Sequence, residues 1–368
     1  MVAVRRTVRR EFGRNHHPTY RGLAKAFAAL VWPVAVLVRL WDIRRFQGPD
    51  WIPLKRVPGA LWAALRHNVM PGEYYCYELW RPARRAKIDS YLYAKEGLRL
   101  FKLINRPREP NPIHDKLEFD EMCKTLALPR PEVLATFAPG FKLLRFANDR
   151  PPKRHLFVKP RFGSASDGTE RLRWRDGIFE SSRDIRLEPE QLDGYLATRA
   201  RTENRTLLVQ PELSNHPVLG MGPNANLAVT RLITGRSTDG DIVPICGFIY
   251  FPQADSVSVR YVSVALIDIL SGRLISAPQE LWGERPLEYH PDPGCTLPDW
   301  EIAMQRAKIA HGACSGFAFI GWDIAFTPQG PVLLEGNENW SAGEYQRLSG
   351  EPLGHTKFPD VLATWLNR

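Results

Sequence analysis

The chain has 368 residues, 44% of them hydrophobic and 24% charged, which gives a globular composition with material for two domains or one large divided one and excludes wholesale disorder. Its net charge of +10 is unevenly placed: residues 1–110 hold 22 Lys/Arg against 8 Asp/Glu, a balance of +14, and the other 258 hold 28 against 32, a balance of −4. A uniformly basic nucleic-acid binder does not divide this way, so no nucleic-acid partner is expected, and the basic region alone points to an anionic surface.

The N-terminal region carries Arg5, Arg6, Arg9 and Arg10, then the apolar run Ala26–Val38 between Lys25 and Arg39. Thirteen residues interrupted by Pro33 are too short to span a bilayer, and "RLWDIRRF" offers no small-residue cleavage site. Two readings stay open: a buried helix, or an interfacial segment on anionic lipid. Between residues 45 and 112, the stretch 81–107 is the most helical. Prolines at 107, 110 and 112 then mark a boundary. Cys76, Cys123, Cys246, Cys295 and Cys314 are scattered, odd in number and without C-x-x-C, so neither zinc nor a disulfide framework is indicated, and a reducing cytoplasm is expected.

Beyond the boundary, "DKLEFDEMCKTLAL" has helical spacing with Asp115 as N-cap, and "PRPEVLATF" leads into a short strand. "HLFVKP" and "ERLRW" read as strands around a small-residue loop, "EPEQLDGYLATRA" as a helix and "TLLVQPEL" as a buried strand. "LAVTRLITG", "IVPICGFIYF" and "VSVRYVSVALIDILSG" are further strands, and Asp299 caps a helix that runs to about His311. The class is α+β with antiparallel strands; no G-x-G-x-x-G follows a strand, which disfavours a doubly wound dinucleotide fold.

Two stretches carry chemistry. In "GWDIAFTPQGPVLLEGNENW", a turn centred on Gln329 makes the partners' numbers sum to 658. Asp323 then opposes Glu335, Gly321 opposes Asn337, and the apolar pairs Ile324–Leu334 and Phe326–Val332 fall on the other face. Opposed carboxylates about 5 Å apart at Cβ either raise one another's pKa or share a cation. Asn337 adds a neutral oxygen and Gly321 leaves room, a donor set for Mg²⁺ or Mn²⁺; the competing reading is a hairpin whose acids point into water. In "FVKPRFGSASDGTE", Lys159 ends a strand, and Gly163, Ser164, Ser166 and Gly168 form a loop whose amides and hydroxyls suit phosphate oxygens. Taken alone, that loop reads more readily as an ordinary solvent-exposed hairpin turn. Lys116 and Arg231 are further cations, with a solvated lysine and a structural ion pair as the plainer alternatives. His114, His216 and His311 are expected to be structural or solvent-facing.

In their order, "HDKLEF…CKTLALPRPEVLA", "FVKPRFGSASDG", "LLVQPEL", "TRLIT" and "IGWDIAFTPQGPVLLEGNENW" resemble an ATP-grasp domain over about residues 113–345, and "VQPELSNHP…TRLITG" is similar to its sugar-transfer-associated branch. The resemblance implies an α+β fold of two subdomains clasping ATP, 111–205 and 206–368, behind a basic N-terminal region, 1–110. It implies Lys116 and Lys159 on the ATP phosphates, Gly163–Gly168 as a lid, and Gln210, Glu212 and Leu213 in the adenine hinge. Arg231 would lie near the transferring phosphoryl, with Asp323, Glu335 and Asn337 as Mg²⁺ ligands. Where the family often has a ribose-binding acid, this chain has "SNHP", which leaves two readings open: His216 as a substitute, or a ribose held elsewhere. The implied activity is a cytoplasmic ligase joining a small-molecule carboxylate to an amine in saccharide chemistry, peripheral to an anionic membrane. The alternatives are a kinase acting on a hydroxyl and a non-catalytic nucleotide-binding scaffold.

Overall fold

The computed structural model describes residues 54–366 apart from 108, 145, 147–149, 164–165, 223–224, 253–261, 281–290, 293 and 341. The apolar run Ala26–Val38, the arginines before it and Ser164 lie outside the described residues.

The described chain opens with α1 (Val57–His67), α2 (Pro71–Cys76), α3 (Pro82–Arg85) and α4 (Ala94–Ile104). The stretch expected to be most helical is therefore two helices with an interruption. Tyr91 and Tyr93 bury their rings with Tyr74, Tyr75 and Tyr77, and Tyr91 donates to the Gly350 carbonyl at 2.8 Å. That burial requires extended backbone at Tyr91, so tertiary packing overrides helix propensity here.

Helix α5 (Lys116–Thr125) follows, with Asp115 accepting from the Leu117 amide at 2.9 Å as the expected N-cap. Next come β1 (Ala135–Ala138), β2 (Phe141–Leu144), β3 (Leu156–Pro160), β4 (Glu170–Arg175), β5 (Ile178–Ser181), β6 (Arg186–Leu187), α6 (Pro189–Thr202) and β7 (Leu207–Pro211). The first sheet has the order β2-β1-β7-β3-β4-β5-β6. β7, which the sequence places at the start of the second subdomain, is thus hydrogen-bonded between β1 and β3. β3 alternates strictly: Leu156 and Val158 pack with Leu192, Leu196 and Val209, which turns Lys159 to the opposite face.

The second sheet contains β8 (Val229–Arg236), β9 (Ile242–Pro252), β10 (Val262–Ile267), β11 (Gln279–Glu280), β12 (Phe319–Thr327) and β13 (Gly330–Asn337), in the order β11-β10-β9-β8-β12-β13. Between β11 and β12 runs α7 (Trp300–Ala313); α8 (Ala342–Ser349) and α9 (Phe358–Leu366) close the chain. Asp299 holds the N-cap position of α7 with a left-handed φ of 52°, but its side chain makes no capping bond, contrary to the sequence reading. Ala303, Ala307 and Ala310 form a small-residue stripe that packs with Ile320, Trp322 and Ile324. The other sheet face packs Phe248 and Phe319 against Leu100, Phe101, Leu348 and Phe358. With helices on both faces, all nine residues of β12 are buried.

The hairpin β12–β13 keeps the expected pairs Gly321–Asn337 and Asp323–Glu335. Past Asp323 the register shifts by one: Ile324 pairs with Leu333 rather than Leu334, and Phe326 with Pro331 rather than Val332. The cause is a tighter turn than expected, with Thr327 paired to Gly330 across Pro328 and Gln329. The extra residue forms a bulge that lets Leu333 follow Ile324 into the α7 core while Glu335 remains beside Asp323 on the other face.

Candidate functional site

Strand pairing alone puts three site residues in one row. Asp323 on β12 lies opposite Arg231 on β8 and opposite Glu335 on β13, so their side chains share a face. Arg231 donates to Asp323 through Nε (2.5 Å to Oδ1) and Nη2 (3.1 Å to Oδ2), and the Asn337 amide donates to Asp323 Oδ2 at 3.2 Å. Burial pushes the Asp323 carboxyl up to about 6; Arg231 opposes that, and the neighbouring Glu335 carboxylate reinforces it. Burial lowers the Arg231 pKa, but the Asp323 charge more than reverses this and leaves the guanidinium firmly protonated.

Gly321 does not leave the space anticipated. A Cβ there would stand 2.3 Å from Trp340 Cβ and 2.9 Å from Arg231 Cδ, so the glycine admits the buried Trp340 ring and the arginine stem. The carboxylate pair nevertheless fits a hard divalent cation: two acids opposed across the strands, one of them raised by burial and further by the other's charge, are what such an ion would neutralise. Among the described residues no group of three or more His, Cys, Asp and Glu forms a metal cluster. A cation here would rest on Asp323, Glu335 and the Asn337 amide oxygen, with water and phosphate completing its shell.

The cations come from the first sheet and from α5. Lys116, in the first turn of α5, donates to the Gly163 carbonyl at 2.8 Å and lies 3.8 Å from Glu335, tying the small-residue loop to the carboxylates. Asp115 anchors that turn through Arg161 (Nε to Oδ1, 2.8 Å; Nη2 to Oδ2, 2.5 Å). Burial raises Asp115, and the bonds from Arg161 and Leu117 outweigh it, so its carboxyl stays below the ordinary range. Lys159 is driven down to about 8 by burial, against the pull of Glu335 and with the added repulsion of Lys116. The carboxylates of Glu335 and Asp323 both act on it electrostatically, so the structure brings Lys116, Lys159, Arg231, Asp323, Glu335 and Asn337 together.

The loop residues behave differently from one another. Gly163 has φ 121° with open space around it, whereas Gly168 (φ 72°) is pressed against Pro160 and receives the Arg199 guanidinium on its carbonyl. Ser166 (φ 59°) is exposed and forms a turn with Thr169. In the stretch expected to form the hinge, Gln210 points its amide at the Pro131 carbonyl (2.9 Å), a structural role, and pairing with β1 ends at Val209. Glu212 takes Arg171 on Oε1 at 2.7 Å, and its Oε2 is buried without a partner, an orphaned acceptor suited to a donor on a nucleotide. Leu213 is half-buried beside it.

Of the histidines, His311 is fully buried, with Nδ1 at 2.7 Å from Thr234 Oγ1 and Nε2 at 3.0 Å from the Phe317 carbonyl, a structural role as expected. His216 Nδ1 accepts from the Val218 amide in its own turn, and His114 pairs with Glu338 at 2.9 Å.

Two neighbours of the site were missed. The Tyr250 ring lies 5.8 Å from the Arg231 guanidinium, and its hydroxyl donates to Glu344 on α8. Burial raises the Glu344 carboxyl, with the Tyr250 bond and Arg231 opposing. Tyr250 was accessible to reasoning, since it stands two residues beyond Phe248, the strand partner of Arg231. Glu344 gave no comparable signal.

A family model described as sugar-transfer associated ATP-grasp matches residues 97–357. No curated protein matches the chain. Among solved structures, D-alanine–D-alanine ligase from Helicobacter pylori aligns with 72% of this chain and 61% of its own, at 12% identity and a TM-score of 0.40. N5-carboxyaminoimidazole synthetase from Staphylococcus aureus complexed with ADP aligns with 68% and 52%, at 9% identity and 0.40. D-alanine–D-alanine ligase from Bacillus anthracis complexed with ATP aligns with 70% and 67%, at 13% identity and 0.39. The chain thus spans about 61% of the Helicobacter ligase, and likenesses this distant assign no substrate.

Proposed function

The chain belongs to the sugar-transfer associated ATP-grasp family, and on that premise we propose that it is an ATP-dependent ligase joining a carboxylate to an amine. The observation that carries this reading is the convergence of Lys116, Lys159 and Arg231 on the Asp323–Glu335 pair. Cations set around paired carboxylates suit the transfer of a γ-phosphoryl group, where charge must be neutralised without a protein nucleophile.

In the proposed reaction a substrate carboxylate oxygen takes the γ-phosphoryl of ATP, releasing ADP. The amine then attacks the acyl carbon, and inorganic phosphate leaves. Lys159 and Lys116 hold phosphate oxygens, and Arg231 offsets charge on the transferring group. The Gly163–Gly168 loop excludes water, which would otherwise hydrolyse the acyl phosphate. Asp323, Glu335 and Asn337 would hold Mg²⁺, which would supply positive charge against the phosphates of ATP. Glu212 offers its unpartnered oxygen to the nucleoside.

The family description supports saccharide-linked substrates. No described helix is long and apolar enough to cross a membrane, and the basic N-terminal region supports a peripheral place on the inner face of an anionic one. A test is ADP and phosphate release over a panel of carboxylates and amines. Release that requires both partners is expected. Phosphoryl retained on a hydroxyl acceptor would make the protein a kinase, and nucleotide binding without turnover would make it a scaffold.

A further inference from the structure

Helix α1 buries one face and leaves another uncovered. Ala60, Ala63 and Ala64 pack inward, while Pro58, Trp62 and Leu65 form an exposed stripe at helical spacing, with Leu61 half-exposed beside it. Trp62 is 44% and Leu65 72% exposed, and three residues apart on one helix they form one apolar patch rather than scattered single exposures. Cations border the stripe. Lys55 and Arg66 are exposed at the two ends of the helix, and Arg85 on α3 extends toward the Trp62 ring, 6.0 Å from its centroid. The nearby acids are already engaged: Glu78 pairs with Arg81 and Arg84 at 3.0 and 3.1 Å, and Asp89 pairs with His67 at 3.0 Å.

We propose that α1 and α3 form a docking surface for an anionic lipid membrane, with Trp62 and Leu65 entering the interface and Lys55, Arg66 and Arg85 meeting headgroup phosphates. An indole and an aliphatic side chain rimmed by Lys and Arg match the two chemistries of an interfacial helix, apolar below and cationic at headgroup level. Residues 1–53, just ahead of α1 in the sequence, point to the same partner. They carry ten Lys/Arg against three Asp/Glu and the apolar run Ala26–Val38, and in the sequence they lead to Lys55. The inference rests on the proposed peripheral place at the membrane and deepens it, because it names the surface and makes the N-terminal segment an addition to it.

The experiment is flotation of the full chain with vesicles of phosphatidylcholine alone and of phosphatidylcholine with phosphatidylserine. Binding is expected only to the mixed vesicles, and it should weaken as salt rises. Trp62→Ala with Leu65→Ser should lower partitioning by about tenfold. Arg66→Gln and Arg85→Gln should each lower it by about fivefold. All four substitutions are at exposed positions, so thermal unfolding and ATP binding should be unchanged. Undiminished flotation of Trp62→Ala/Leu65→Ser, with flotation lost on deleting residues 1–53, would overturn the α1 surface and leave the peripheral reading standing. Equal binding to neutral vesicles, or displacement by generic RNA as efficient as by lipid, would also overturn it. So would a loss of thermal stability in Trp62→Ala/Leu65→Ser, since the stripe would then be covered by the chain's own N-terminal segment. Each outcome is independent of ligase turnover.

Discussion

Arg231 on β8 and Asp323 on β12 are direct strand partners and hold each other through a two-point fork, 2.5 Å at Nε–Oδ1 and 3.1 Å at Nη2–Oδ2. Both are largely withdrawn from water, so neither charge is tolerated without the other. The fork therefore holds the Asp323 carboxylate in place beside Glu335. Asp323→Ala strands the guanidinium and is expected to cost about 3–5 kcal/mol, whereas Asp323→Leu with Arg231→Met should recover most of that loss. Urea unfolding of Asp323→Leu, Arg231→Met and the double variant closes the cycle, and additive losses would show that the fork is not what couples them.

Under the proposed reading, Glu335 is where loss of activity can be told apart from loss of stability. It is more exposed than Asp323, and its ion contact with Lys116 is long, at 3.8 Å. Glu335→Gln should therefore fold with near-native stability and lose Mg²⁺-dependent ATP turnover by on the order of 100-fold. The measurement is ADP release against Mg²⁺ concentration. Activity near that of the unaltered protein would remove the metal assignment.

Much of this site was readable because it is local. The pairs Gly321–Asn337 and Asp323–Glu335 follow from one hairpin, and the Asp115 cap follows from one helix start. The bulge after Asp323 was not readable, because "VLLE" satisfies either register until the turn closes tightly at Thr327 and Gly330. The remaining misses are long-range. Gln346 on α8 accepts from the Leu92 amide at 2.8 Å and donates to its carbonyl at the same distance, fastening the N-terminal helices beside the site across more than 250 residues of sequence. Glu344 reaches Tyr250 from that same helix. Such contacts are decided by how helices settle on a sheet, which composition and spacing do not encode.

Lys159 gives nucleotide binding a pH signature. With its pKa lowered to about 8 in the unliganded protein, it is partly deprotonated above that pH, and phosphate oxygens beside it would pull the pKa back up. ATP binding near pH 8–9 should therefore take up a proton. Affinity should be flat below about pH 8 and fall as pH rises above it. Calorimetry in buffers of different ionisation enthalpy measures the uptake. Lys159→Gln should bind ATP weakly and show none, and uptake persisting in that variant would assign the proton to another group.

His311 sets a pH limit on the fold rather than on the site. Trp322 Nε1 donates to Thr234 Oγ1 at 2.9 Å, and that hydroxyl lies 2.7 Å from His311 Nδ1. His311 Nε2 lies 3.0 Å from the Phe317 carbonyl, so the neutral ring with its proton on Nε2 completes a chain of donors from the indole to the backbone. Burial drives the ring's pKa from 6.5 down to about 4, against the bond to Phe317. The folded state holds it neutral where the unfolded chain would take a proton, so this contribution is fully present above pH 6.5 and is lost as pH falls toward 4. The loss should amount to about 3 kcal/mol across that window and level off below it. Urea midpoints measured between pH 4 and 7 should show that slope in the unaltered protein. A His311→Gln variant, though less stable throughout, should lack it, and an undiminished slope there would place the acid sensitivity elsewhere.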